Sequence, residues 1–377
     1  MDVSTNIRPC RIAVDCMGGD NGPAEVIRGV KLVLRDIAPE DRLILVGNMK
    51  LLQMLARKAG IEAHPQVEYR DAEGVILMDD KPMQAIKSKK AASMLVAMDM
   101  LKANEADAMF SSGNTKVLVA AGTLKLRPMP GADRPALASI MPHKNGHFIL
   151  MDVGANPEST PEQLMHNAVM GTVYAQSALG IAKPRLGLLT VGTEEGKGGE
   201  RINKAHSLLK KLEGEINYVG PVEGFDMFAG DLDVAIVDGF TGNILLKSTE
   251  AMFKMLVGMV REKLSYNPFY WGAGLALFPI LQSLKNHLKA DENGGAPLLG
   301  LNALVIKAHG SCNRHAVRGA LRLGRTALSR QMSERLREAL ARANATIASP
   351  AQNPPTPAPP PAATETLATP KEGGPLP

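Results

Sequence analysis

Five short segments of this 377-residue chain gather the residue types that hold anions and polarise carbonyl groups. They read Asp15-Cys16-Met17-Gly18-Gly19-Asp20, Ser111-Ser112-Gly113-Asn114-Thr115, Asp152-Val153-Gly154-Ala155-Asn156, Val191-Gly192-Thr193-Glu194-Glu195-Gly196-Lys197-Gly198-Gly199 and Asp238-Gly239-Phe240-Thr241-Gly242-Asn243. Glycine permits tight turns and close backbone approach, and a helix that starts there aims free N–H groups and a positive dipole end outward, which suits phosphate or another anion. The same residue types are ordinary turn and helix-entry residues. Five such turns, expected to converge on one edge of a sheet, favour an anion site. Lys197 adds a point charge on a flexible stem, suited to a phosphate oxygen or an oxyanion. Glu194 and Glu195 would repel phosphate and are read as orienting Lys197 or capping the next helix. His309, after the apolar run ALVIKA, is either a packed histidine or a group at the mouth of the sheet.

Other chemistries lack their signatures. There is no GxxxxGK[ST], no GxGxxG after the first strand and no GxSxG, so an NTP site, a standard dinucleotide fold and a nucleophilic elbow have no support. The three cysteines, Cys10, Cys16 and Cys312, show no CxxC spacing, and the histidines form no HxH pair. Neither a metal site nor a cofactor is expected.

The elements that position these turns follow from the pattern. Short Val-, Ile- and Leu-rich runs (RIAVDC, RLILVG, ADAMF, RLGLLTVG, DVAIVDG) alternate with amphipathic stretches, predicting helices from about Ala24, from Met49, and over 115–126, 161–179, 201–212 and 243–263. Continuous apolar strands joined by crossover helices imply a mostly parallel sheet sandwiched by helices. PALASIMP and GHFILMDVG, separated by a polar turn at 143–145, predict a hairpin.

The 43 Lys+Arg against 38 Asp+Glu leave a net charge of +5, too mild to indicate nucleic acid. The N-terminal residues lack a signal-peptide h-region, and with the sparse cysteines the expected location is the cytoplasm. Residues 1–348 read as one domain. Residues 349–377 hold 10 of the 26 prolines and predict a disordered, extended tail. The stretch 264–284 carries no charge and five aromatics, including the single tryptophan. Its prolines and glycines suit a protruding helical hairpin over 264–290 better than a membrane span, with Phe269, Tyr270, Trp271, Leu275, Leu277 and Phe278 meeting a membrane surface. A buried dimer interface is the other reading of the same segment.

With these residues in view, the chain resembles the bacterial phosphate acyltransferase family (PlsX). The resemblance runs from Arg11 to Met332 through AVDCMGGDNGP, SSGNTKVLVAAG, RPALASIMP, DVGANPES, VGTEEGKGGE, VDGFTGNILLKSTEA and KAHGS. Lys116 stands where the family usually has Gly, and Cys312-Asn313 replaces Ser-Asp. The resemblance implies an α/β fold like the isocitrate dehydrogenases and phosphotransacetylases, and a homodimer without metal. It also implies peripheral association with the inner face of the cell membrane, beside the acylphosphate-using glycerol-3-phosphate acyltransferase. The implied reaction moves a long-chain acyl group from acyl-acyl carrier protein to inorganic phosphate. Lys197, Asn243 and His309 would then be catalytic, with Gly18, Gly19, Asp20, Gly113, Asn114, Thr115, Gly154, Asn156, Gly192, Thr193 and Gly242 around the phosphate. Asp15 and Asp20 are read more readily as loop organisers than as bases, because a carboxylate beside phosphate costs Coulomb energy. The basic run 81–90 is a candidate contact for an acidic carrier. A CoA-dependent phosphotransacetylase and a non-catalytic membrane scaffold each account for part of the pattern.

Overall fold

The computed structural model describes residues 9–194, 196–266 and 295–349. Eleven strands form one sheet: β1 Arg11–Asp15, β2 Arg42–Gly47, β3 Val67–Asp71, β4 Ala108–Ser111, β5 Ala136–His143, β6 Gly146–Met151, β7 Arg185–Leu189, β8 Asn217–Val222, β9 Val234–Ile236, β10 Ala296–Leu299 and β11 Leu304–Lys307. Their spatial order is β3-β2-β1-β4-β11-β10-β5-β6-β9-β7-β8. The helices are α1 Gly22–Val33, α2 Met49–Ala59, α3 Pro82–Ser88, α4 Ser93–Lys102, α5 Thr115–Ala121 (continued by a π turn to Leu126), α6 Pro161–Ala178, α7 Gly199–Lys210, α8 Gly224–Ala229, α9 Gly239–Tyr266, α10 Arg314–Ser329 and α11 Met332–Ala348. The expected α/β architecture is present, including the hairpin, whose strands pair from Ala138–Met151 to His143–Gly146.

Period-two alternation sends the apolar residues of each strand to two cores. Ile12, Val14, Leu43 and Leu45 join the layer under α1, α6, α10 and α11. Ala13, Ile44 and Val46 join the layer under α4 and α5. Local signals set the helix starts. At α6, Thr160 accepts the N–H of Gln163 while Gln163 accepts that of Thr160, a reciprocal capping box.

One expectation fails. The strand ends do not share an edge, because the sheet has two parallel halves running in opposite directions. β1, β2, β3, β4 and β11 run one way, and β6, β7, β8 and β9 run the other, with β10 and β5 between them. The pairing register shows where the halves meet. Asp15, Ser111 and Lys307 close β1, β4 and β11 in one row, and Lys307 faces Ala296 of β10. Because Leu298 faces Leu137, that row meets β5 at Ser139. Met151 and Ile236, which close β6 and β9, meet β5 one residue earlier, at Ala138. The halves are therefore staggered, and their carboxyl ends abut across β5. The extra element that reverses the direction is β10, a short run whose orientation no sequence periodicity encodes.

Candidate active site

On the first half, three loops after β1, β4 and β11 lock together by close backbone contact. A Cβ on Gly18 would stand 2.8 Å from the Gly113 nitrogen, and one on Gly19, at φ +87°, would stand 2.8 Å from the Gly310 carbonyl oxygen. Only glycine fits such spacing. The Asp20 N–H donates to that same carbonyl at 2.7 Å. Beneath them the buried Asp15 accepts the hydroxyls of Ser93 and Ser111, each at 2.6 Å, and burial pushes its carboxyl pKa up. These glycines hold the loops to one another.

Asn114 is similarly committed. Its Oδ1 caps α5 by accepting the N–H groups of Lys116 and Val117. Its Nδ2 donates to the carbonyls of Leu77, Met78 and Asp80, fastening the 77–80 loop.

On the second half, Asp152 organises the turn after β6. Its carboxylate accepts the backbone N–H groups of Leu137, Gly154, Ala155 and Asn156 and the Asn156 side-chain amide. The Asn156 amide also donates to the Pro135 carbonyl, so this buried residue shapes the loop from within. α9 begins against that turn. A Cβ on Gly242 would come within 1.9 Å of the Asp152 carbonyl oxygen, and a Cβ on Gly154 would touch Asn243 at 3.5 Å.

Between the halves lies a cavity of about 800 Å³. Of the residues expected from sequence, Asp20, Asn114, Thr115, Gly154, Asn243 and His309 line it. Gly18, Gly19, Gly113, Asn156 and Gly242 stand behind it as the backbone and amide supports just described. The Nδ1 of His309 accepts the Ser311 N–H and contacts its hydroxyl at 2.8 Å, which places the proton of the neutral imidazole on Nε2. Leu137, Met141, Val153, Leu246, Phe253 and Ala296 add apolar lining to the same cavity.

Gly192, Thr193 and Lys197 are not brought to this cavity. Their loop follows β7, two strands from β6, roughly 10 Å at ordinary strand spacing. It borders a separate hollow with Gly196, Gly199, Glu200 and Lys204. The exposed Lys197 ammonium donates to Glu194 at 2.6 Å, which holds that carboxyl below its usual pKa range. Phe269, Tyr270, Trp271, Leu275, Leu277 and Phe278, the rest of the 264–290 segment past residue 266, and the tail from residue 350 lie outside the described residues. Among the described residues no cluster of three His, Cys, Asp or Glu side chains could hold a metal ion.

Sequence reasoning missed Lys307. It is 6% exposed and lines the cavity between Ala296 and His309. Desolvation lowers its pKa from an ordinary 10.5 to about 8. In the sequence it merges into the strand ALVIKA, where a lysine reads as an edge residue.

The α/β fold is that of the phosphotransacetylases. A phosphotransacetylase from Streptococcus pyogenes superposes with a TM-score of 0.58 at 17% identity, covering 85% of this chain and 94% of that one. One from Staphylococcus aureus gives 0.53 at 15% identity, covering 85% and 95%. These likenesses define the fold. A family model described as fatty acid synthesis protein matches residues 10–335. The phosphate acyltransferase of Desulfitobacterium hafniense (strain DSM 10664 / DCB-2) is 39% identical over 334 residues, 88% of this chain and 98% of the relative. That of Ectopseudomonas mendocina (strain ymp) is 38% identical over 326 residues, 86% and 96% respectively. The chain belongs to the phosphate acyltransferase family.

Proposed function

We propose that this enzyme transfers a long-chain acyl group from acyl-acyl carrier protein to inorganic phosphate, giving an acyl phosphate for phospholipid synthesis. The observation that carries this reading is one cavity of mixed lining, with Thr115, Asn243, Lys307 and His309 among its polar residues and Leu137, Met141, Leu246 and Phe253 among its apolar ones. Phosphate attacks the thioester carbonyl directly, the chain lies along the apolar lining, and the thiol leaves. The enzyme's contribution is positioning and stabilisation of the oxyanion. Asn243, which has no side-chain hydrogen bond among the described residues, is the donor assigned to the oxyanion, with His309 Nε2 a second donor lining the same cavity. Lys197 keeps its assigned electrostatic role as a charge carried on the neighbouring glycine-flanked loop, to be tested below.

The carrier enters over the 77–90 rim. Leu77, Met78 and Met83 are 54%, 48% and 52% exposed among the exposed Lys81, Lys87, Lys90 and Lys116, and cations around an apolar patch suit an acidic partner. The far end of α9 supports a homodimer. Met252, Met255, Leu256, Val257, Met259 and Val260 span more than half of the helix circumference yet are 39–56% exposed, and an apolar face that wide needs a cover. No helix of the described residues is long and apolar enough to cross a membrane. The uncharged 264–284 stretch, whose residues past 266 lie outside the described ones, is the segment proposed to meet the membrane surface, where the product would pass to an acylphosphate-using acyltransferase.

The direct test is mass-spectrometric detection of acyl phosphate from palmitoyl-acyl carrier protein and inorganic phosphate, with palmitoyl-CoA and acetyl-CoA as parallel donors. Carrier-dependent product is expected. Product from acetyl-CoA alone would assign a phosphotransacetylase, and none from any donor would leave the scaffold reading.

A further inference from the structure

Lys307 ends the central strand β11, flanked by Ser111 of β4 and Ala296 of β10. It lines the cavity, and what little exposure it keeps opens there. Its ammonium donates to the adjacent Ala308 carbonyl, and among the described residues no carboxylate pairs with it. An ammonium carries three donors, so the protein leaves part of that capacity toward the cavity. A lysine buried this deeply is costly unless paired, and a strand that reads Leu-Val-Ile before it would be more stable with an apolar residue there. Such placement marks a group kept for chemistry. The titratable groups that face it are Asp15 and Asp20 from the β1 end and Cys312 after β11.

Position assigns the role. The 77–80 loop, fastened by Asn114, lies over the β11 end: a Cβ on Gly310 would touch Met78 at 3.1 Å. A carrier arm entering over that rim brings its sulfur to the Lys307 side of the cavity, while the acyl chain runs away from it toward Leu246 and Phe253. We propose that Lys307 is the catalytic proton donor to the departing thiol. This assignment rests on the acyl-transfer reading above.

The step balances without a co-reactant. An oxygen of hydrogen phosphate dianion forms the new C–O bond, the C–S bond breaks and its electron pair goes to sulfur, and a Lys307 N–H proton passes to that sulfur. The neutral amine then takes the P–OH proton, made more acidic by acylation. Free thiol, acyl phosphate dianion and the charged lysine result.

The test compares wild type with Lys307→Met on two donors, palmitoyl-acyl carrier protein and the palmitoyl thioester of thiophenol, whose anion leaves without a proton. With the carrier donor kcat should fall ~10²–10⁴-fold, the range of general acid catalysis, and with the aryl thioester less than ~10-fold. The KM for phosphate should hold. Wild type should lose kcat above about pH 8, following the lysine, and the variant should lack that limb. Equal losses on both donors, a change confined to the phosphate KM, or an unaltered alkaline limb would each overturn the assignment. If Lys307→Met does not fold, wild type alone decides through a series of thiol leaving groups: a shallow dependence on thiol pKa is expected, and a steep one overturns it. Wild type that makes no acyl phosphate from any donor would refute the underlying reading instead.

Discussion

Lys307 couples its protonation to stability in a direction opposite to that of a paired lysine. Its folded pKa of about 8 lies below the ordinary 10.5, so between those values the unfolded chain holds a proton that the folded chain has released, and stability rises with pH. Relative to Lys307→Met, wild type should gain up to ~3 kcal/mol between pH 8 and 10.5. Denaturant midpoints across that window check it, and parallel curves would mean the ammonium is well solvated. Asn114 and Asn243 separate structure from chemistry. Asn114→Ala removes a helix cap and the tie to 77–80, costing about 1–2 kcal/mol, whereas Asn243→Ala should lower kcat with little change in stability. Lys197→Ala should likewise leave the thermal midpoint unmoved, since its contact is a surface ion pair, while reducing turnover; near wild-type turnover would remove Lys197 from the mechanism. Residue types were legible where glycine, asparagine and threonine follow apolar runs. Their division into lining and supporting positions was not, because it depends on which loop meets which. Lys307 escaped notice because a strand's register, not its composition, decides that this side chain opens on a cavity.

At the level of elements, α9 is seated against the β6 turn by the missing side chains of Gly239 and Gly242. With the Gly242 Cβ position 1.9 Å from the Asp152 carbonyl oxygen, Gly242→Ala must displace either the helix or the β6 turn, beyond the ~1–3 kcal/mol of ordinary overpacking. Activity and the chemical-denaturation midpoint should fall together, and a variant of wild-type stability would show that the helix start has slack. Farther along α9, Leu246 and Phe253 belong to the apolar lining. Leu246→Trp should shorten the longest acyl chain accepted while sparing short donors, read by competition among chain lengths. The β5–β6 hairpin and most helices were legible from periodicity and turn chemistry. The opposed direction of the two half-sheets was not, because parallel and antiparallel neighbours present the same buried apolar run.

For the molecule as a whole, the exposed apolar stretch of α9 predicts association. Met255→Glu with Leu256→Glu should convert a dimer to a monomer in light scattering while secondary structure is kept; an unchanged mass would place the interface elsewhere. The strand order carries a further consequence. The second half-sheet, β5 through β9, is one continuous piece of chain, whereas the first is completed by residues 304–307, which slot between β4 and β10 in the middle of the finished sheet. During synthesis the strand bearing Lys307 and leading to His309 is the last strand to emerge. Until it arrives, β4 is paired on one side only, by β1, and the cavity lacks a floor. A chain cut short before that point would therefore present an open strand edge prone to aggregation and no working site, so incomplete copies are inactive by construction rather than partly active.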